Sequence, residues 1–127
     1  MEKVTGIGGL FFRARDPAAL AQWYQTHLGV PLTPSDYEGE PWQQQGGPTV
    51  FEPFPMNTQY FGTPERMWMV NFRVADLDAM VNQLRVAGVE VTVDPDTYPN
   101  GRFARLQDSE GNPIELWQLQ GDAPGAA

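Results

Sequence analysis

The sequence predicts an α+β fold built from two β-α-β-β-β modules. Three observations lead there. The run Leu10-Phe11-Phe12-Arg13-Ala14-Arg15-Asp16 returns 60 positions later (70 − 10) as Val70-Asn71-Phe72-Arg73-Val74-Ala75-Asp76. Leu28-Gly29-Val30 has a counterpart in Ala87-Gly88-Val89, and Pro48-Thr49-Val50-Phe51-Glu52 in Asn112-Pro113-Ile114-Glu115. Each half holds one stretch of helical spacing, while alternation and turn residues fill the rest.

The elements follow in order. From Leu10 the chain alternates, with Leu10, Phe12 and Ala14 on one face and Phe11, Arg13 and Arg15 on the other, which predicts a strand. Asp16-Pro17 starts a helix, with a side-chain acceptor followed by a preset φ. Leu20, Trp23, Tyr24 and Leu28 form its apolar stripe, and Gly29 supplies the left-handed stop. Extended pieces are expected at 30–33, 41–45 and 49–54, with Pro53 and Pro55 marking a sheet edge. Residues 55 to 66 link the halves. Met67–Val74 reads as a strand with Val70, Phe72 and Val74 inward. Asp76 caps a helix with the stripe Leu77, Met80, Val81 and Leu84, and Gly88 ends it. Strands follow at 89–93, 103–107 and 113–119, joined by turns at Tyr98-Pro99-Asn100-Gly101 and Asp108–Asn112. The chain is thus one domain over 1–127, with module one at about 5–54, module two at about 67–119 and a frayed tail at 120–127.

Composition narrows the function. Length suits one domain, and 41% hydrophobic residues supply one core. Eight Lys+Arg against 16 Asp+Glu give a net charge of -8, which disfavours nucleic acid and anionic membrane surfaces. The absence of cysteine removes disulfides, thiolate catalysis, Fe–S clusters and Cys-bound zinc. His27 is the single histidine, so one chain cannot supply a multi-histidine site. Its place at a helix end suits a dipole role. No apolar run approaches the ~18 residues of a membrane span, and the start Met1-Glu2-Lys3-Val4 lacks a signal-peptide pattern. A cytoplasmic location is the expectation. Gly6-Ile7-Gly8-Gly9 precedes a strand rather than a helix, which excludes a dinucleotide fingerprint.

Taken in order, Phe12–Asp16, Trp23-Tyr24, Leu28-Gly29, Asn71–Asp78, Ala87-Gly88-Val89 and Asp108-Ser109-Glu110-Gly111-Asn112-Pro113-Ile114-Glu115-Leu116 resemble the vicinal oxygen chelate superfamily. That group includes glyoxalase I, extradiol dioxygenases and bleomycin-resistance proteins. The resemblance covers nearly all of residues 5–118. It implies two βαβββ modules forming an open, curved half-barrel sheet around a cavity. It also implies metal ligands on the first and last strands of each module. The last-strand positions fall on Glu52 and Glu115, and the first-strand positions on Gly9 (or Gly8) and Met69. Neither Gly nor Met suits a hard divalent ion.

Two functions from different classes emerge. The first is a protein that binds a small organic molecule in the cavity around a degenerate metal site, with no metal or other cofactor expected. The alternative, implied by the resemblance, is a divalent-metal-dependent lyase, isomerase or dioxygenase of the glyoxalase I type, with Glu52 and Glu115 as its metal residues. A module that only dimerises is a third. Alternation puts Glu115 with Trp117 on the face opposite Ile114 and Leu116, where it suits a metal ligand, a general base or half of an ion pair, and the resemblance implies it as the candidate catalytic carboxylate. Phe11, Arg13, Phe54, Met69, Asn71, Arg73 and Trp117 are expected on the cavity wall as ligand-binding residues, a mostly apolar lining with few polar anchors. Arg13 and Arg73 are expected to pair with Glu52 and Glu115 as a polar floor. Exposed strand edges predict a homodimer. The loop aromatics Tyr37, Trp42, Tyr60 and Trp68 suit a lid or a dimer contact.

Overall fold

Asp16 ends an extended segment by turning its side chain onto the backbone of the next residues. Its Oδ1 accepts from Ala19 N at 3.1 Å, and helix α1 runs from Pro17 to Leu28. Gly29, at φ 72, closes α1 with backbone bonds to Gln25 and Tyr24. The computed structural model describes residues 1–121. Most of the expected tail, residues 122–127, lies outside the described residues.

The second half forms the expected module. Strand β1 (Val70–Arg73) leads to helix α2 (Leu77–Val86), which Asp76 caps through Ala79 N at 3.0 Å. Strands β2 (Thr92–Val93), β3 (Gly101–Gln107) and β4 (Pro113–Leu119) complete it. The sheet is open and four-stranded, in the order β1-β4-β3-β2. The β1–β4 pair is parallel and the others are antiparallel. Ile114, Leu116, Ala104 and Leu106 turn one face of this sheet toward Leu77, Val81 and Leu84 of α2 and Leu20 and Tyr24 of α1. Burying these side chains, at roughly 1.5–3 kcal/mol each, is the main force that holds α2 on the sheet.

The fold is therefore α+β with an open sheet, as expected, but its strands all come from the second half. Among the described residues, 1–69 contain α1 and no strand. Segments 10–15, 30–33, 41–45 and 49–54 form no ladder. Alternation fixes which way a side chain points, whereas a strand also needs an edge to pair with. Pro31, Pro34, Pro41, Pro48, Pro53 and Pro55 remove backbone donors along this half, and Gly8-Gly9 and Gly46-Gly47 loosen it. The facing sense holds in the first segment for Phe12 and Ala14 and fails for Leu10, which is exposed. Phe12 packs on Trp68 (5.1 Å between ring centroids) and Tyr24 (6.4 Å), while Phe11 is 94% exposed.

Helix α1 is fastened to module two at the turn between β3 and β4. The buried Asp108 accepts from Tyr24 Oη at 2.6 Å, from Asn112 Nδ2 at 2.7 Å, and from the backbone N–H of Glu110 and Asn112. Glu110 accepts from the backbone N–H of Arg15 at 2.7 Å and Asp16 at 3.0 Å. Arg66 donates to Asn112 Oδ1 and to the Glu110 carbonyl, both at 2.9 Å.

Candidate functional site

The sheet register places two rows of side chains on the face turned away from the helices. In the first row Asn71, Glu115, Arg105 and Thr92 lie side by side across β1, β4, β3 and β2. In the second, Arg73, Trp117 and Phe103 do the same. Directly paired neighbours share a face, so these rows follow from β4 keeping Ile114 and Leu116 in the core.

Glu115 is half-buried and fully engaged. Asn71 Nδ2 donates to its Oε1 at 2.7 Å, and the phenol of Tyr60 donates to its Oε2. Tyr60 reaches it from the 55–66 link. The Arg105 guanidinium lies over the Tyr60 ring, 4.6 Å from its centroid, a cation–π contact. Phe54 stacks on Tyr60 at 6.2 Å and packs against Phe61 at 5.1 Å. The Tyr60 hydroxyl is pushed above the usual tyrosine value of 10.0, first by burial, then by the hydrogen bond to Glu115 and its charge. Tyr60 therefore acts as a donor here and not as a base.

The second row is aromatic. Phe103 and Trp117 stack nearly parallel, 8° apart with centroids at 6.1 Å, and Tyr98 meets Phe103 edge-on. Trp117 Nε1 donates to the Asn100 carbonyl at 2.8 Å, which fixes the indole. At the end of this row Arg73 donates from Nη2 to the Gln45 carbonyl at 3.0 Å. Its guanidinium occupies the space beside Gly47 where a Cβ would stand. Arg73 thereby ties the extended 41–50 segment to the sheet.

The sequence profile of the glyoxalase-like domain matches residues 9–117. The chain belongs to that family. It thus falls within the vicinal oxygen chelate superfamily that the motifs resemble. Among curated proteins there is no match. Among solved structures, an antibiotic binding protein, TnmS3, from Streptomyces sp. CB03234 is similar at TM-score 0.63 and 23% identity, over 94% of this chain and 99% of that one. A putative glyoxalase family protein from Bacillus anthracis is similar at TM-score 0.52 and 20% identity, over 80% and 83%. At these identities the likeness concerns the fold. A glyoxalase/bleomycin resistance protein from Streptomyces sp. CB03234 is 39% identical over 39% of this chain and 42% of that chain, with TM-score 0.35, so the likeness is confined to a piece of each.

Within the glyoxalase-like frame, the expected site residues separate into groups. Asn71, Arg73, Glu115 and Trp117 share the sheet face away from the helices. Phe54 joins them through Tyr60. Met69 is half-buried just ahead of β1. Phe11 and Glu52 are exposed, and Arg13 lines a separate cleft with Arg66 and Glu110. The expected polar floor of two arginines and two glutamates does not form. Among the described residues the ion pairs are Arg15–Glu110 at 3.7 Å and Arg102–Asp78 at 3.1 Å. The reason is geometric: Arg13 and Glu52 sit on unpaired segments that no ladder brings to the sheet, and Arg73 is drawn to the Gln45 carbonyl.

Two residues at the site escaped the sequence reading of the binding wall. Arg105 carries a signal, since Phe103 and Arg105 alternate with the buried Ala104 and Leu106. Tyr60 carries none, because its link has no periodicity. His27 packs its ring 5.0 Å from Trp23 within α1, consistent with a structural place. Trp68 packs inward on Phe12 at a tilt instead of serving as a free loop aromatic.

The donors in place bear on the superfamily's metal. Glu115 gives one oxygen each to Asn71 and Tyr60, Glu52 is exposed elsewhere, and Met69 offers a soft sulfur. No group of three or more His, Cys, Asp or Glu suited to a metal occurs among the described residues. This donor set does not fit a divalent ion. No helix among the described residues is long and apolar enough to cross a membrane.

Proposed function

We propose that this chain is a metal-independent binding protein for a small, largely aromatic organic molecule with a polar group, held on the sheet face that carries Glu115 and Trp117. The observation that carries this reading is the pairing of one row of hydrogen-bonding groups, Asn71, Glu115 and Arg105, with one row of flat rings, Phe103 and Trp117. Stacking on the half-buried Phe103 ring, which the buried Trp117 backs, supplies most of the affinity. Glu115 and Arg105 set orientation and select a ligand with donors and acceptors. The similarity to a protein described as antibiotic binding supports an aromatic antibiotic as the class to try first.

The binding unit in this reading is a homodimer. Ile7, Leu10, Phe11, Val50 and Phe51 are exposed in the first half, and the outer edge of β1 has no strand beside it among the described residues. A second copy would cover both.

The test is a titration of the full-length protein with a panel of aromatic antibiotics, read by tryptophan fluorescence, with and without EDTA. Saturable quenching that persists in EDTA is expected, and Glu115→Gln should weaken it by about tenfold, the worth of one hydrogen bond to a charged group. Binding lost in EDTA and restored by a divalent ion would overturn the metal-independent reading in favour of a metal-dependent enzyme of the glyoxalase type.

A further inference from the structure

Three of the chain's eight basic residues, Arg13, Arg15 and Arg66, line one cleft together with Glu65, Glu110 and Asn112. In a molecule of net charge -8 such a convergence is unusual. The state of each charge matters more than the count. The carboxylate of Glu110 is already taken up by the backbone N–H groups of Arg15 and Asp16, with Arg15 Nε at 3.7 Å. Those backbone donors hold its carboxyl below the ordinary value. Glu65 is held below its ordinary value chiefly by its own backbone N–H and by Thr63. Neither acid forms an ion pair with Arg13 or Arg66 among the described residues.

Arg66 is half-buried and fixed. It spends one donor on Asn112 Oδ1 and one on the Glu110 carbonyl, both neutral acceptors, and packs against Gly111, where a Cβ would come within 2.8 Å of its Nη2. It forms no ion pair among the described residues, although its charge also acts on the Glu65 carboxyl, and its remaining donors make no bond there. Arg13 makes no hydrogen bond or ion pair among the described residues. Two planar forks that form no ion pair thus line one concavity beside the already bonded Glu65 and Glu110, and one of the forks is pre-oriented.

We propose that this cleft binds a phosphoryl group, as inorganic phosphate or the phosphate of a small ester, between the guanidinium groups of Arg13 and Arg66. A carboxylate has two oxygens and satisfies one fork, whereas a tetrahedral phosphoryl group presents oxygens to two forks at once. The site shares no residue with the Glu115–Trp117 face and stands or falls separately from it.

The test follows the side-chain Nε–H resonances of Arg13 and Arg66 by NMR in the full-length protein. Sodium phosphate, sodium acetate and sodium chloride are titrated at matched ionic strength. Saturable shifts of both resonances with phosphate are expected, with weaker shifts from acetate. Because Arg66 also holds the turn, Arg66→Gln mixes folding with binding, and Arg13→Gln is the variant that decides. It should weaken phosphate binding by about tenfold, the loss of one charge-assisted fork. Sodium chloride reproducing the phosphate shifts, or Arg13→Gln binding like the unaltered protein, would overturn the site. Acetate binding as tightly as phosphate would overturn the phosphoryl assignment.

Discussion

The two oxygens of Glu115 go to donors from different parts of the chain, Asn71 on the neighbouring strand and Tyr60 on the link. Tyr60→Phe keeps the ring against Phe54 and Arg105 and removes only the hydroxyl. Urea unfolding should register a loss of about 1 kcal/mol, and no more than a charged hydrogen bond contributes. Tyr24→Phe should cost about 2 kcal/mol, because its partner Asp108 is a buried carboxylate. Both hydroxyls are held above the usual 10.0, mainly by burial and by the acid each bonds. The native state therefore keeps these protons when the unfolded chain has begun to lose them. Their stabilisation is complete below the unfolded value and declines as pH rises above it. Unfolding midpoints measured between about pH 8 and pH 11 should fall with pH, and less steeply in either Phe variant.

At the scale of elements, the glycine that opens β3 shows how tightly the hairpin is built. Gly101 has φ 131, and a Cβ there would meet the Gln118 carbonyl on β4. Because backbone cannot yield as a side chain can, Gly101→Ala should destabilise by about 1–3 kcal/mol in thermal unfolding. Gly47→Ala meets only the end of the Arg73 side chain and should cost less than about 1 kcal/mol, while freeing the 41–50 segment. The contrast also explains what the sequence makes legible. Strand β4 spans the residues alternation assigns it, because Ile114 and Leu116 are both buried and a turn of Asp, Gly and Asn precedes them. Both helices start at Asp16 and Asp76, where a cap announces itself locally. The first-half strands fail because pairing is decided between segments, and nothing local records it. The bond from Tyr60 to Glu115 is illegible for the same reason: the two lie 55 residues apart.

For the whole molecule, the first half presents apolar side chains to solvent that one chain does not cover, with Phe11 94% and Phe51 85% exposed. If a second copy covers them, light scattering at micromolar concentration should give a dimer mass. The thermal midpoint should also rise with protein concentration, as mass action requires. A monomer whose midpoint is independent of concentration would contradict the dimer.

The turn at residues 108–112 also governs the order of events during folding. It anchors α1 through Tyr24, 84 residues away, and through Arg15, 95 residues away from Glu110. Closing loops of that size is slow and yields nothing until the hairpin exists to receive the helix. Module two should then form the nucleus, with α1 docking on a hairpin already made. Loss of the Tyr24 hydroxyl should leave the folding rate nearly unchanged and accelerate unfolding. In a chevron plot Tyr24→Phe should move only the unfolding arm.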